Sequence, residues 1–214
     1  MIISPGRRYV FVHIPKTGGT ALSLALEARA MADDILIGDT PKAAKRRNRV
    51  KKLRDRAAGR LWKHSTLADI EGVCDTAGFF VITLVRNPWD RLVSYYHWLR
   101  EQGWEHEAVA AAKRLPFEDF LLAPSIVAGL RAAPYGQYVT GADGAERCDL
   151  FARLEHLDDD LAAFEAHLGF GLTPLPPANA SAREAGYRSY YDTRGRDQVA
   201  ELCAADIARF GYEF

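Results

Sequence analysis

Lys16, Thr17 and Thr20 surround a glycine pair in the run His13-Ile14-Pro15-Lys16-Thr17-Gly18-Gly19-Thr20. Gly18 and Gly19 let a backbone approach a phosphate closely, because no Cβ intervenes. The two threonine hydroxyls can donate hydrogen bonds, and Lys16 supplies positive charge. The nucleotide triphosphatase loop differs, with four residues between its first glycine and a Gly-Lys-Ser/Thr ending. Here the lysine precedes the glycines and the loop is shorter. It suits one phosphate rather than three, with Lys16 on the strand side, beside the group to be transferred.

A second chemical run is Arg86-Asn87-Pro88-Trp89-Asp90, with Ser94 eight residues after Arg86. In a magnesium-dependent P-loop enzyme a neighbouring strand ends in an aspartate that holds the metal shell. An arginine there cannot bind magnesium, but it can grip a phosphate through paired hydrogen bonds. Helical spacing allows Arg86 and the Ser94 hydroxyl to share one anion. Two anion sites at the carboxyl ends of adjacent strands would serve a nucleotide phosphorylated at both its 5′ and 3′ positions. The plainer readings are a Gly-Gly turn that only joins strand to helix, an Arg86–carboxylate ion pair, and a Ser94 merely tolerated in a helix.

Regular elements must position these residues. Arg8 to Ile14 is rich in β-branched and aromatic residues and reads as a buried strand. Ala21 to Ala32 follows as a helix, with Leu22, Leu26 and Ala30 on one face. Phe79 to Val85 is a second strand. Asn87 is a suitable N-cap, Pro88 a first helical residue and Asp90 a first-turn acid for the helix through Leu99. Leu150 to Leu157 is a third strand candidate, Asp158 to His167 a helix, and Val199 to Phe210 a closing helix. Strands alternating with helices predict an α/β fold with a central parallel sheet flanked by helices. Pro41 to Lys63, strongly basic, and Thr173 to Gly186, with three prolines, read as irregular stretches. Neither marks a domain boundary, so 1–214 reads as one domain.

The 214 residues carry no net charge, so overall charge predicts no partner. The longest apolar run, Ala77 to Val85, is too short to cross a bilayer. The N-terminal segment lacks the order of a signal peptide. Cys74, Cys148 and Cys203 form no CxxC pair, which argues against a disulfide framework or zinc site and fits a reducing cytoplasm.

Val12 to Thr20 resembles the 5′-phosphosulfate loop of the sulfotransferases that use 3′-phosphoadenosine 5′-phosphosulfate (PAPS), in the branch with bacterial and Golgi carbohydrate enzymes. Leu84 to Tyr96 resembles that family's 3′-phosphate segment. Phe151 to Leu157 and Phe210 to Phe214 are weaker similarities, and Thr40 to Trp62 and Glu101 to Ala133 are least covered. The resemblance implies a P-loop-like three-layer fold, PAPS as donor with 3′-phosphoadenosine 5′-phosphate (PAP) as product, and no metal. It assigns Lys16 to the bridging oxygen of the phosphosulfate. Thr17, Gly18, Gly19 and Thr20 then hold the 5′-phosphate, and Arg86 and Ser94 the 3′-phosphate. Arg183 falls in a late loop that closes over the nucleotide in the family.

An acceptor hydroxyl must lose a proton, which suits a side chain titrating near neutrality. His64 lies between the two motifs, at the mouth of an expected helix, where the carbohydrate-directed members carry their catalytic histidine. Those members usually place Gly where this chain has Lys63. Glu155 is the alternative base. The expected partner is a hydroxyl-bearing acceptor, a saccharide or other small metabolite, with no nucleic acid and no stable membrane insertion. The basic run is either a solvated face or an attractor of anionic ligands. Trp62, Trp89, Trp98 and Trp104 are candidates for a sugar-stacking surface. Two rivals remain: an ATP-dependent small-molecule kinase, and a non-catalytic module that binds anions or nucleic acid.

Overall fold

Period-two alternation along short strands builds the sheet on which the Lys16 loop stands. The computed structural model describes residues 1–178 and 186–214. They form two compact units: Met1–Val85 with the chain from Tyr135 to residue 178, and Arg86–Pro134 with the chain from residue 186 onward.

The first unit holds five strands: β1 (Ile2–Ser4), β2 (Tyr9–Val12), β3 (Ile35–Leu36), β4 (Phe80–Val85) and β5 (Leu150–Arg153), in spatial order β3-β1-β2-β4-β5. β2, β4 and β5 are parallel, with Val12 opposite Thr83 and Val85 opposite Arg153. β1 runs antiparallel to both β2 and β3. The parallel centre matches the expectation from sequence; the antiparallel margin adds to it. Pro5 and Gly6 turn the three-residue β1 back onto β2, a signal that so short a strand hides. Tyr9, Phe11, Ile82, Leu84 and Ala152 pack on one face with Leu22 and Leu26 of α1 (Gly19–Ala28) and Phe164 of the helix Ala162–Leu168. Val10, Val12 and Val81 pack on the other with Leu61, Leu67, Ile70 and Val139.

The basic run is not irregular. Pro41–Leu53 forms α2, with Pro41 in its first turn and the Thr40 hydroxyl accepting from the Ala43 N–H at 3.2 Å. Its charge density conceals its apolar points, Ala43 and Val50, which fall seven residues apart on one face. α2 packs beside β3 and so covers an otherwise open sheet edge. Several of its cations serve structure. Lys42 donates to the Glu27 carbonyl, Arg46 to Met31 O at 2.8 Å, and Arg49 to Asp34 O at 3.2 Å. These cations meet the carbonyl-rich end of α1 and the turn after it, where the helix dipole is negative.

The second unit is helical: α3 (Pro88–Arg100), α4 (Glu107–Arg114), α5 (Phe117–Leu122), α6 (Pro124–Ala132), and the late helices Thr193–Leu202 and Ala204–Phe210. The expected closing helix Val199 to Phe210 is thus interrupted at Cys203. Trp89, Leu92, Val93, Tyr96 and Leu99 face Phe117, Phe120 and Val199 in one apolar cluster. The Asn87 side chain accepts from the Trp89 N–H at 3.1 Å, as the capping pattern predicts.

Candidate active site

The Lys16 loop begins where β2 ends. Thr83 on β4 donates its hydroxyl to Val12 O at 2.8 Å, which fixes the last strand carbonyl before the loop. The loop turns through two left-handed residues, Lys16 at φ 67° and Gly18 at φ 83°. A lysine in that region is strained, and such strain persists where the surroundings impose it. The buried Thr17 hydroxyl donates to Ile14 O at 2.9 Å. The Thr17 hydroxyl proton is thus committed within the loop, and the expected role as a hydroxyl donor to an anion falls to the Thr20 side chain and the backbone N–H groups.

Gly18 is the N-cap of α1, with no side chain capping the helix and no acid in its first turn. The positive end of the helix dipole is therefore left for an external anion. The glycines also have steric reasons. A Cβ on Gly18 would stand 2.6 Å from Leu154 Cδ1, and one on Gly19 would stand 2.3 Å from His13 Cδ2. The Gly19→Ala substitution is accordingly expected to cost about 2–3 kcal/mol, read as a lowered denaturation midpoint. Unchanged stability would show that His13 can move aside.

His13 packs behind the loop. It is buried, stacks on Phe11 with centroids 5.9 Å apart, and lies edge-on to His64 at 4.8 Å. Burial, together with neighbouring positive charges, holds its pKa well below the usual histidine range, so it stays neutral. Its backbone oxygen stands 2.7 Å from His64 Nδ1. A carbonyl only accepts, so Nδ1 carries the proton and the neutral His64 ring keeps its lone pair on Nε2. Desolvation lowers the His64 pKa to about 4; the Lys63 charge acts in the same direction, and the bond to the His13 carbonyl opposes both. The expected helix after His64 is only a single turn, Ala68–Ile70. Thr66 and Asp69 close it by a reciprocal pair of bonds, Thr66 N–H to Asp69 Oδ2 at 2.8 Å and Asp69 N–H to Thr66 Oγ1 at 3.2 Å.

In the second unit Arg86 donates Nε–H and Nη2–H to Asp90 Oδ2, at 2.9 and 2.5 Å. The ion pair that was the plainer reading of Arg86 is therefore present. A guanidinium has five donors, and Asp90 orients it by one edge. Ser94 lies four residues after Asp90 and so shares its helix face. Its side chain is buried at 6% exposure, and its hydroxyl has no hydrogen-bond partner among the described residues.

A model of the sulfotransferase family matches residues 1–213. The chain belongs to the sulfotransferase family. Among solved structures, the crystal structure of mouse sulfotransferase SULT7A1 complexed with PAP is similar, with a TM-score of 0.48 and 15% identity, covering 96% of this chain and 85% of that one. No curated protein matches the chain.

In this sulfotransferase the first unit holds Lys16, Thr17, Gly18, Gly19, Thr20 and His64, and the second holds Arg86 and Ser94. Arg183 lies outside the described residues. Glu155 is exposed on the turn Leu154–His156. Sequence reading missed the residues that hold the site in place. Arg153 grips Asp160 through Nε and Nη2 at 2.9 and 2.8 Å, which fixes the turn bearing Leu154 against Gly18. Buried Ser65 accepts from the Trp62 N–H at 2.9 Å and fixes the turn that carries His64. A serine or an arginine carries no periodic signal, so neither stands out in the sequence. A cavity of about 980 Å³ is lined by Phe79, Val81, Cys148 and Asp149. It lies at the amino ends of β4 and β5, opposite the carboxyl ends where such sheets bind ligands.

Proposed function

We propose that the whole chain acts as one sulfotransferase domain moving a sulfuryl group from PAPS to an acceptor hydroxyl, with His64 as base. The Nδ1–H bond from His64 to the carbonyl of His13, three residues before Lys16, carries this reading, because it leaves the basic lone pair on Nε2. The uncapped start of α1 and the close-packed Gly18 and Gly19 suit a 5′-phosphosulfate. Arg86 and Ser94 take the 3′-phosphate. The acceptor oxygen attacks sulfur in line as its proton passes to His64 Nε2. The bond from sulfur to the bridging oxygen breaks, and Lys16 offsets the charge gathering on the leaving phosphate. An imidazole with a pKa near 4 is a weak base. A bound anionic donor raises that pKa, so the base strengthens when the donor is in place.

Three cysteines without a disulfide support a cytoplasmic location. A saccharide heads the acceptor candidates. No helix among the described residues is long and apolar enough to cross a membrane.

Incubating the protein with PAPS and a fractionated pool of small hydroxylated metabolites tests the reaction. Equimolar PAP and a sulfated compound support it, whereas transfer from ATP and none from PAPS would overturn it. The Arg86→Ala variant should bind PAP about a hundredfold more weakly while adenosine 5′-phosphosulfate affinity changes little. Equal losses for both ligands would remove Arg86 from the 3′-phosphate.

A further inference from the structure

The other aromatic side chains described in the first unit are buried or half-buried, but Trp62 is 40% exposed. Its position is not that of a loose surface residue. Its ring meets the His64 ring edge-on, with centroids 5.0 Å apart. The Arg60 guanidinium lies over the indole, 5.2 Å from its centroid. Below, the Ser65 hydroxyl accepts the Trp62 N–H and reaches the carbonyls of Arg60 and Trp62, both at 2.8 Å. Ser65 is fully buried, so the turn from Arg60 to Ser65 is anchored to the interior. The indole N–H has no hydrogen-bond partner among the described residues.

An aromatic ring held rigidly and left wet forgoes the burial that normally favours it. Here it stands next to the only histidine that sequence and geometry both assign as a base. From this we infer that Trp62 is the acceptor platform. Its indole takes the flat apolar face of a ring that bears the reacting hydroxyl and sets that hydroxyl beside His64 Nε2. Pyranosides, with a patch of C–H groups, and phenols both present such a face. Arg60 and Ser65 are positioning residues that keep the indole in place. The inference rests on the sulfotransferase reading, since it takes His64 as the base.

The test follows the indole N–H proton of Trp62 by NMR, assigned with the Trp62→Phe variant. PAP is added first, and methyl β-D-glucopyranoside or 4-nitrophenol is then titrated. The Trp62 resonance should shift with one of the two probes, while the other three indoles stay in place. Trp62→Phe should weaken that probe roughly tenfold and leave PAP affinity unchanged. A shift with the glycoside identifies a saccharide acceptor, and a shift with the phenol an aryl one. If Trp62 responds to neither, the platform is overturned. PAP in the same tube reports separately: no response to PAP overturns the donor reading, while the Trp62 shift still decides the platform.

Discussion

Replacing Lys16 by alanine is expected to lower kcat about a thousandfold, the loss typical when one preorganised charge is removed from a developing anion. PAP binding should weaken as well, because the proposed site sets the lysine charge against the nucleotide's 5′-phosphate. The backbone allows a sharper version. Lys16 holds φ 67°, a conformation that costs a side-chain-bearing residue roughly 1 kcal/mol or more and glycine almost nothing. Lys16→Gly should therefore lose as much activity as Lys16→Ala yet exceed it in stability by about 1 kcal/mol. An equal loss of rate with a higher denaturation midpoint for the glycine variant would mark Lys16 as a residue kept for chemistry. If Lys16→Gly retains near-normal turnover, the lysine charge has no part in the reaction.

His64→Gln carries the second large effect, a fall in kcat of about a thousandfold with PAP affinity nearly intact. Glutamine keeps a donor for the His13 carbonyl but cannot accept a proton. The pH behaviour separates the roles further. Desolvation lowers the His64 pKa from 6.5 to about 4, so the folded protein keeps this ring neutral where an unfolded chain already protonates it. The resulting stability is complete above about pH 6.5 and is lost as pH falls toward about 4. The wild type should thus destabilise across that interval on acidification, and His64→Gln should do so less. In the wild type kcat/KM should hold steady from neutrality down through pH 5 and fall only as the free enzyme approaches pH 4. A rate that already drops at pH 6.5 would mean that a histidine of ordinary pKa is the base.

The strand–loop–helix at Lys16 and the strand leading to Arg86 were legible because they rest on local signals. These are β-branched runs, a glycine pair, and the Asn87-Pro88 cap. β1 was hidden because three residues give no periodicity, and α2 because cations at most positions mask Ala43 and Val50. The pairing of β1 with both β2 and β3 joins distant parts of the chain, which no local pattern announces. At the site, the resemblance and the position between the two motifs singled out His64 but could not tell which ring nitrogen bears the proton. That depends on the His13 carbonyl, fifty-one residues earlier in the chain. Likewise the need for glycine at position 19 comes from the His13 ring. Spacing left Arg86 open between anion and carboxylate, and the Asp90 pair shows that one edge of its guanidinium is held by a carboxylate.

Calorimetric titration with PAP, beside ADP and ATP, with and without magnesium, tests the central claim most directly. Tight binding of PAP that does not need magnesium, and that weakens sharply for ADP, is the predicted result. Preference for ATP with magnesium would contradict the account and place the Lys16 loop among kinases.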